Sequence, residues 1–226
     1  MNELRSLTFY KNAGNIEVLK AIPEATRLIL DIGCGAGDNA SLLSKKGMTV
    51  DGITISKVEA EEAKKSCRNV IIHNLENGLP HLGDAKYDVI ICSHILEHIV
   101  YPQKLIEDIK KIMLPDKTIL LVAVPNFLVY KNRLKMFLGK FNYEETGLLD
   151  KTHVRWYTFK SLKKLLLDSG FNIDKEWVEG GMPFQSYLNF VPQNKINTIK
   201  KLLFKISKGF FGGELLFSLK IKENRV

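Results

Sequence analysis

A glycine-rich turn that follows an apolar stretch is the segment of this sequence best suited to bind a ligand. Residues 28–37 read Leu-Ile-Leu-Asp-Ile-Gly-Cys-Gly-Ala-Gly, so a strand-like run leads directly into Gly33, Gly35 and Gly37. Glycine lets the backbone turn sharply and lets a ligand approach without a Cβ in the way. The first amides of the helix that follows can donate to a ligand. Because ligands of open α/β sheets bind at the carboxyl ends of the strands, we predict a nucleotide-like site here.

The spacing of these glycines argues against two common nucleotide-binding loops. A dinucleotide-binding loop has the pattern Gly-x-Gly-x-x-Gly, whereas here the third glycine comes one residue early and Asp38 takes its place. An NAD-dependent oxidoreductase is therefore disfavoured. A phosphate-binding P-loop needs Gly-Lys followed by Ser or Thr, which the sequence lacks. Asp31, an acid at the end of the strand, suits a cationic amino group better than a pyrophosphate.

The elements that position this loop are indicated by short β-branched runs, which alternate along the sequence with helical patterns. Such alternation predicts a mostly parallel sheet that is covered by helices. The helical signals include the pattern Ser56-x-x-Glu59, typical of a capping box, and Pro102 at the first turn of a helix. Helices are predicted at Asp38–Lys46, after Ser56, from Pro102 to Met113, and at Thr158–Ser169. Strands are predicted at Leu28–Ile32, Met48–Thr54, Val70–His73, Tyr87–Cys92, Thr118–Val124, Phe171–Val178 and Glu214–Lys222.

These elements predict one α/β domain over residues 1–226, with a seven-stranded sheet. The last strand should lie antiparallel beside Phe171–Val178, and the first 25 residues or so should form a helix ahead of the first strand. Residues 126–157 and 180–213 are too long for plain connections. Since both follow late strands of the sheet, we expect these two inserts to cover an acceptor pocket.

Composition and charge narrow the class of protein. Of 226 residues, 45% are apolar and 26% charged, which is ordinary globular usage. Three cysteines without Cys-x-x-Cys spacing disfavour a disulfide scaffold and a zinc site. No apolar run has the length of a membrane span, and the first residues lack the apolar core of a signal peptide. We therefore expect a cytoplasmic protein.

The motifs together resemble a known family. The glycine loop resembles the first motif of class I S-adenosylmethionine (SAM) methyltransferases, and Tyr87–His98, which ends in Leu-Glu-His, resembles their fourth-strand motif. Val124-Pro125-Asn126 is similar to the end of their fifth strand. Residues 149–158 resemble the Asp-x-Thr-His-x-Arg-x-x-Thr segment of bacterial methyltransferases associated with glycosyltransferases. The four motifs come in the family's order between about Phe9 and Val178. The resemblance implies a Rossmann-like fold with helices on both faces, and SAM as methyl donor with S-adenosylhomocysteine (SAH) as product.

The resemblance also implies roles for the matching positions. The glycine loop, including Cys34, would line the SAM backbone, with Asp31 near its amino group. Asn74, Leu75 and Glu76 match the region that borders adenine, and Ser93 and His94 match residues beside the methionine moiety. Two positions depart from the family. Thr54 stands where an acid usually binds both ribose hydroxyls, and His94 stands where Asp is common. A hydroxyl bonds ribose less strongly than a carboxylate does.

Methyl transfer to a hydroxyl needs alignment and, for a weakly acidic acceptor, a base. His153 is the candidate base, since it lies in the family-matching segment on the expected acceptor side; it could instead anchor a loop. Tyr143, Glu144, Asp150 and Arg155 could contact the acceptor. We interpret Glu97 and His98 as structural. No spacing of His, Asp and Glu indicates a metal site.

The net charge of +8 is concentrated near the end of the chain. Residues 194–226 carry eight Lys or Arg and two Glu, which leaves +2 for the first 193 residues. Apolar side chains recur at helical spacing along residues 195–208, with lysines toward the other side. This helix could be a lid that packs on the domain, or a basic amphipathic helix that contacts the inner membrane surface. The confined charge and the lack of a recognition motif disfavour nucleic-acid binding.

The sequence therefore predicts SAM-dependent methyl transfer, and the resemblance favours an oxygen of a sugar or glycan intermediate as the acceptor. Alternatives are a quinone, lipid or other small-metabolite acceptor, or a non-catalytic SAM-binding module.

Overall fold

The computed structural model describes residues 13–145, 147–180 and 192–221. Its strands lie within two residues of the predicted bounds. Residues 1–12 of the expected N-terminal helix lie outside the described residues, and between residues 13 and 27 the chain forms one short helix, Ile16–Leu19. The strands are β1 (Leu28–Ile32), β2 (Thr49–Thr54), β3 (Asn69–Ile72), β4 (Val89–Ser93), β5 (Ile119–Pro125), β6 (Asn172–Glu179) and β7 (Glu214–Lys220).

The seven strands form one sheet of order β3-β2-β1-β4-β5-β7-β6. The neighbours from β3 to β5 pair in parallel, and β7 pairs antiparallel with both β5 and β6. The expected antiparallel last strand beside β6 is confirmed, and β7 also inserts between β5 and β6. Parallel strands end at one edge, so the loops after β1, β2, β3 and β4 meet there.

Helices cover both faces of the sheet, as expected for strands with near-continuous apolar runs. The helices are α1 (Ile16–Leu19), α2 (Asp38–Ser44), α3 (Lys57–Ala63), α4 (Pro102–Ile112), α5 (Tyr130–Phe137), α6 (Phe159–Asp168), α7 (Gln193–Ile206) and α8 (Lys208–Phe211). One face of the sheet packs against α4 and α6, and the other against α1, α2 and α3.

Local signals explain where several helices begin. Ser56 caps α3 through its Oγ, which accepts from the Glu59 amide at 3.3 Å. Thr158 and Ser161 form a reciprocal capping box at the start of α6. Pro102 is the first residue of α4, where its missing amide hydrogen costs nothing. These caps set the entry of each helix and therefore the position of the loop before it.

The two predicted inserts contain α5, and α7 with α8. On α7 the apolar stripe is only partly covered, because Ile196 is buried whereas Ile199, Leu202 and Ile206 are exposed. Lys200 forms an ion pair with Glu179 of β6. Both the lid and the membrane-contact interpretations of this helix therefore stay predictions. Among the described helices, none is long and apolar enough to span a bilayer.

Candidate functional site

The glycine loop is fixed by hydrogen bonds to the neighbouring strand and by close packing. The amides of Gly33 and Cys34 both donate to the Ile53 carbonyl, at 2.8 and 2.9 Å. Gly33, Gly35 and Gly37 all have positive φ, between 53° and 83°. A Cβ on Gly33 would overlap the Ile95 side chain, and one on Gly37 would lie 2.9 Å from the Ala63 Cα. All three positions therefore favour glycine by conformation, and Gly33 and Gly37 are also required by space.

A cleft of about 1250 Å³ opens over this loop. It is lined by most of the residues that the sequence assigns to the cofactor. Asp31, Gly37 and Glu76 are the predicted residues that do not line it. The predicted residues that do are Gly33, Cys34, Gly35, Thr54, Asn74, Leu75, Ser93 and His94.

The three remaining residues do not line the cleft, but each has a structural role next to it. The Asp31 side chain is buried and accepts from Asn39 Nδ2 at 3.1 Å, and Asn39 lines the cleft. Burial raises the pKa of Asp31 to about 6. Gly37 forms the N-cap of α2. The Glu76 carboxylate accepts from the Val100 amide at 3.1 and 3.2 Å, which ties the turn after β3 to the loop after β4.

Glu59 is a cleft residue that the sequence analysis missed. Its carboxylate is buried, lines the cleft and accepts a 2.7 Å hydrogen bond from Thr54 Oγ1. A carboxylate therefore stands beside the end of β2 after all, supplied from the first turn of α3. The pattern Ser56-x-x-Glu59 was a signal for this residue, but it indicates a helix cap equally well.

His94 lies directly after β4 and is held between two carboxylates. Its φ of 56° is unusual for a residue other than glycine. Its Nε2 is 2.8 Å from Glu214 Oε1, and its Nδ1 is 3.3 Å from Glu97 Oε1. Burial works to lower the pKa of His94, but the contacts with Glu214 and Glu97 outweigh it and raise the pKa to about 10. His94 is therefore a cation at neutral pH.

A second cavity, of about 410 Å³, adjoins the cofactor cleft. His94, His98, Asp150 and Glu214 line both, so the two meet at these side chains. The rest of its wall comes mainly from the first insert. The other lining residues are Glu97, Pro125, Val129, Lys131, Gly147, Leu148, His153 and Gly213.

His153 lies in the wall of this second cavity, as its assignment to the acceptor side requires. It is buried, and its Nδ1 is 3.1 Å from the Leu148 carbonyl. A carbonyl can only accept, so Nδ1 carries the proton and Nε2 carries the lone pair. The second cavity is thus a candidate acceptor pocket with a proton-accepting nitrogen in its wall.

The predicted acceptor contacts divide into two groups. Asp150 lines both cavities, and its Oδ1 accepts from the amide and the hydroxyl of Thr152, both at 2.7 Å. Tyr143, Glu144 and Arg155 line neither of these two cavities. Tyr143 is exposed and packs against Phe141, and the Arg155 guanidinium donates to the Val100 carbonyl at 2.7 and 3.1 Å.

Three potential metal ligands meet in the same wall, which the spacing along the chain did not indicate. One ligand atom each from Glu97, His98 and His153 lies within 4.8 Å of the other two. The segment that carries His153 is held there by backbone, since the Val154 and Arg155 amides donate to the Glu97 carbonyl at 2.9 and 3.0 Å. Among the described residues, the second insert contributes Gly213 to this cavity. Residues 181–191 of that insert lie outside the described residues, so its expected role as a cover stays a prediction.

Comparisons with known proteins agree with this geometry. A family model described as a methyltransferase domain matches residues 4–176. Ubiquinone biosynthesis O-methyltransferase of Paracidovorax citrulli is 29% identical over 106 residues, which are 41% of this chain and 42% of that protein. The enzyme of the same name from Rickettsia akari is 34% identical over 91 residues, 39% of this chain and 36% of that protein. The chain thus spans about two-fifths of the length of these relatives.

Solved structures share the fold. A SAM-dependent methyltransferase from Archaeoglobus fulgidus has a TM-score of 0.66 at 21% identity, over 97% of this chain and 94% of that chain. Magnesium protoporphyrin IX methyltransferase from Synechocystis PCC 6803, solved with SAH, has a TM-score of 0.56 at 17% identity, over 92% and 79%. At these identities the likeness concerns the fold.

Proposed function

The chain belongs to the methyltransferase-domain family and uses SAM as its methyl donor, and from this premise we propose that it O-methylates a phenol-type hydroxyl of a small aromatic or quinone-precursor acceptor. The observation that carries this proposal is the position of His153 in the wall of the second cavity, with its lone pair on Nε2. The relatives named for ubiquinone biosynthesis O-methylation support the same acceptor class, which was the alternative in the sequence analysis.

The acidity of the acceptor decides between a phenol and a sugar. A phenolic hydroxyl has a pKa of about 10, whereas an aliphatic sugar hydroxyl is far less acidic. An imidazole is a base of moderate strength, so it assists proton removal from a phenol more effectively. Because the sulfonium of SAM is a good leaving group, alignment and this proton transfer are the main demands on the protein.

The two cavities supply the alignment. SAM in the cleft over the glycine loop would present its methyl group toward the junction lined by His94, His98, Asp150 and Glu214. An acceptor in the second cavity would reach the methyl group from the other side. The hydroxyl oxygen forms a bond to the methyl carbon, the carbon–sulfur bond breaks with its electron pair left on sulfur, and the hydroxyl proton is released.

A sugar hydroxyl is the second candidate acceptor. It is favoured by Asp150, whose carboxylate lies at the junction and offers acceptor oxygens of the kind that bind sugar hydroxyls. It agrees with the resemblance of residues 149–158 to glycan-associated methyltransferases.

A competition assay separates the two acceptor classes. The full chain is incubated with SAM and equal concentrations of an ortho-dihydroxybenzoate, a monophenol and a nucleotide sugar, and methylated products and SAH are quantified. We expect methylation of the phenols. Methylation of the nucleotide sugar alone would refute the phenolic assignment.

The role of His153 is tested in the same assay. His153→Asn should lower kcat by roughly 10²–10⁴-fold, because it removes the group at the hydroxyl, while the Kd for SAM stays unchanged. His81→Asn is the matched control, since His81 is exposed and lines neither cavity. Unchanged turnover in His153→Asn would show that His153 does not act at the acceptor.

A further inference from the structure

We propose that Glu97, His98 and His153 bind a divalent transition-metal ion such as Zn²⁺, Mn²⁺ or Co²⁺ in the wall of the second cavity, beside its junction with the cofactor cleft. The ion would bind the acceptor oxygen. This inference rests on the proposed function, because it assigns His153 the task of holding the ion that acidifies the hydroxyl.

The first observation is the state of the Glu97 carboxylate. Its side chain is only 2% exposed, and neither oxygen accepts a hydrogen bond from the described residues. His94 Nδ1 lies 3.3 Å from Oε1, a charge contact outside hydrogen-bond geometry. The His94 imidazolium balances the charge of Glu97 from the Oε1 side, but both oxygens still lack hydrogen-bond donors. A buried carboxylate without donors is costly unless a bound cation takes their place. Glu97 lines the second cavity, where such a cation would sit.

The second observation is the orientation of the two imidazoles. His98 Nδ1 lies 3.3 Å from the Thr152 carbonyl, and His153 Nδ1 lies 3.1 Å from the Leu148 carbonyl. Each carbonyl fixes the proton on Nδ1 and leaves the lone pair on Nε2. Histidines that bind metals commonly donate their other ring nitrogen to a backbone carbonyl in this way. The two rings lie edge to face, with centroids 4.7 Å apart.

The third observation is that the ligands are held in place before any ion binds. Glu97 and His98 are neighbours in one 3₁₀ turn, and two backbone hydrogen bonds tie the His153 segment to the Glu97 carbonyl. Ligand atoms within 4.8 Å of one another can share one ion after small side-chain shifts. Two imidazoles and one carboxylate suit Zn²⁺, Mn²⁺ or Co²⁺ better than Mg²⁺ or Ca²⁺, which prefer oxygen ligands.

Three protein ligands leave coordination positions open for an acceptor. A bound cation withdraws electron density from the acceptor hydroxyl and lowers its pKa. The hydroxyl proton then passes to solvent, the oxygen attacks the methyl carbon, and the sulfonium electron pair returns to sulfur. An acceptor with two neighbouring oxygens, such as an ortho-dihydroxybenzene, could occupy two open positions at once.

Cation binding is measured on the full chain without acceptor or turnover. The protein is treated with a chelator, dialysed, and titrated calorimetrically with Zn²⁺ and with Co²⁺, whose visible absorption reports the ligand field. We expect one equivalent per chain. Glu97→Gln and His153→Asn should each weaken binding by at least about 100-fold, and His81→Asn should leave it unchanged. Wild-type protein that binds no more cation than Glu97→Gln would overturn the proposal.

A further variant keeps the test decisive if the ligand variants do not fold. Thr152→Val removes the hydroxyl that lies 3.2 Å from His98 Nδ1 but keeps all three ligands. It should weaken cation binding by about 10–100-fold. Unchanged affinity in this variant, together with a Co²⁺ spectrum that shows no nitrogen ligation in the wild type, would also overturn the site.

Turnover then separates this proposal from the proposed function. Cation binding without methylation of any phenol would contradict the acceptor assignment and support the cation site. Phenol methylation that is equal in chelator-treated and Zn²⁺-loaded protein, with no cation bound, would overturn the cation site and leave the acceptor assignment standing.

Discussion

Asp31→Asn should stabilise the protein while it weakens SAM binding. Burial raises the pKa of Asp31 from 3.8 to about 6, so the folded chain at neutral pH holds an anion in a place that disfavours it. The difference between the two pKa values is about two, which corresponds to about 3 kcal/mol. Asparagine needs no ionisation and can still accept from Asn39. The free energy of unfolding at pH 7.5 should therefore rise by up to about 3 kcal/mol.

The size of this effect depends on pH in a defined way. A carboxyl whose pKa is raised by folding is neutral in both states below about pH 4, so the variant gains nothing there. The gain should grow between pH 4 and 6 and stay constant above. For a chain of this length, about 3 kcal/mol corresponds to a rise in Tm of roughly 5–10 °C. SAM binding should weaken by about tenfold or more, because its ammonium group loses an anionic neighbour.

Thermal melts at several pH values, with calorimetric SAM titration, test both effects. Asp51→Asn is the matched control: Asp51 is also buried, but it accepts from Arg68 Nε at 2.9 Å and from the Tyr87 hydroxyl at 3.0 Å. The substitution should lower Tm, since asparagine keeps only one acceptor oxygen for these donors and loses the negative charge that pairs with the Arg68 guanidinium. A lower Tm in Asp31→Asn at pH 7.5, or a gain that does not shrink toward pH 4, would refute the reasoning.

Two further substitutions probe the cofactor cleft. Glu59→Gln should weaken SAM binding by about tenfold at unchanged Tm, because the amide keeps the Thr54 contact but is a poorer acceptor for ribose hydroxyls; equal Kd values in calorimetry would exclude Glu59 from the ribose site. Gly37→Ala should lower stability by more than about 2 kcal/mol in denaturant melts, because a positive φ and the Ala63 backbone both oppose a Cβ. Gly47→Ala, with a similar φ of 78° and open space, should cost about 1 kcal/mol, and equal losses in the two variants would contradict the packing argument.

The parts of the fold that could be predicted are those set by local pattern. β1 ends where the glycines begin, and α4 begins at its proline, because each signal acts within a few residues. The position of β7 between β5 and β6 depends on pairing between distant strands, which the sequence pattern does not specify. The strands could therefore be predicted from the sequence, whereas their order in the sheet could be seen only in the structure.

In the candidate site, too, features set by local sequence pattern could be predicted and features set by distant contacts could not. The cofactor side was predictable because Gly33 to Gly37 and His94 lie directly after strands. Arg155 was expected at the acceptor, but its guanidinium is engaged by the Val100 carbonyl, a partner more than 50 residues away. His153 meets Glu97 and His98 only because backbone hydrogen bonds join two loops. Contacts of this kind arise from tertiary packing, and spacing along the chain carries no trace of them.

The charge of the cleft shows why net charge is a poor guide to the ligand. The chain has a formal charge of +8, yet SAM carries a sulfonium cation. The side chains that line the cleft include six carboxylates, among them Glu59, Asp150 and Glu214, against two cations, Lys151 and the protonated His94. Because screening makes nearby charges dominate over distant ones, this acidic lining attracts the donor despite the basic chain around it. Transfer of the methyl group removes the sulfonium charge, so the same carboxylates hold SAH less tightly and favour exchange of product for fresh donor.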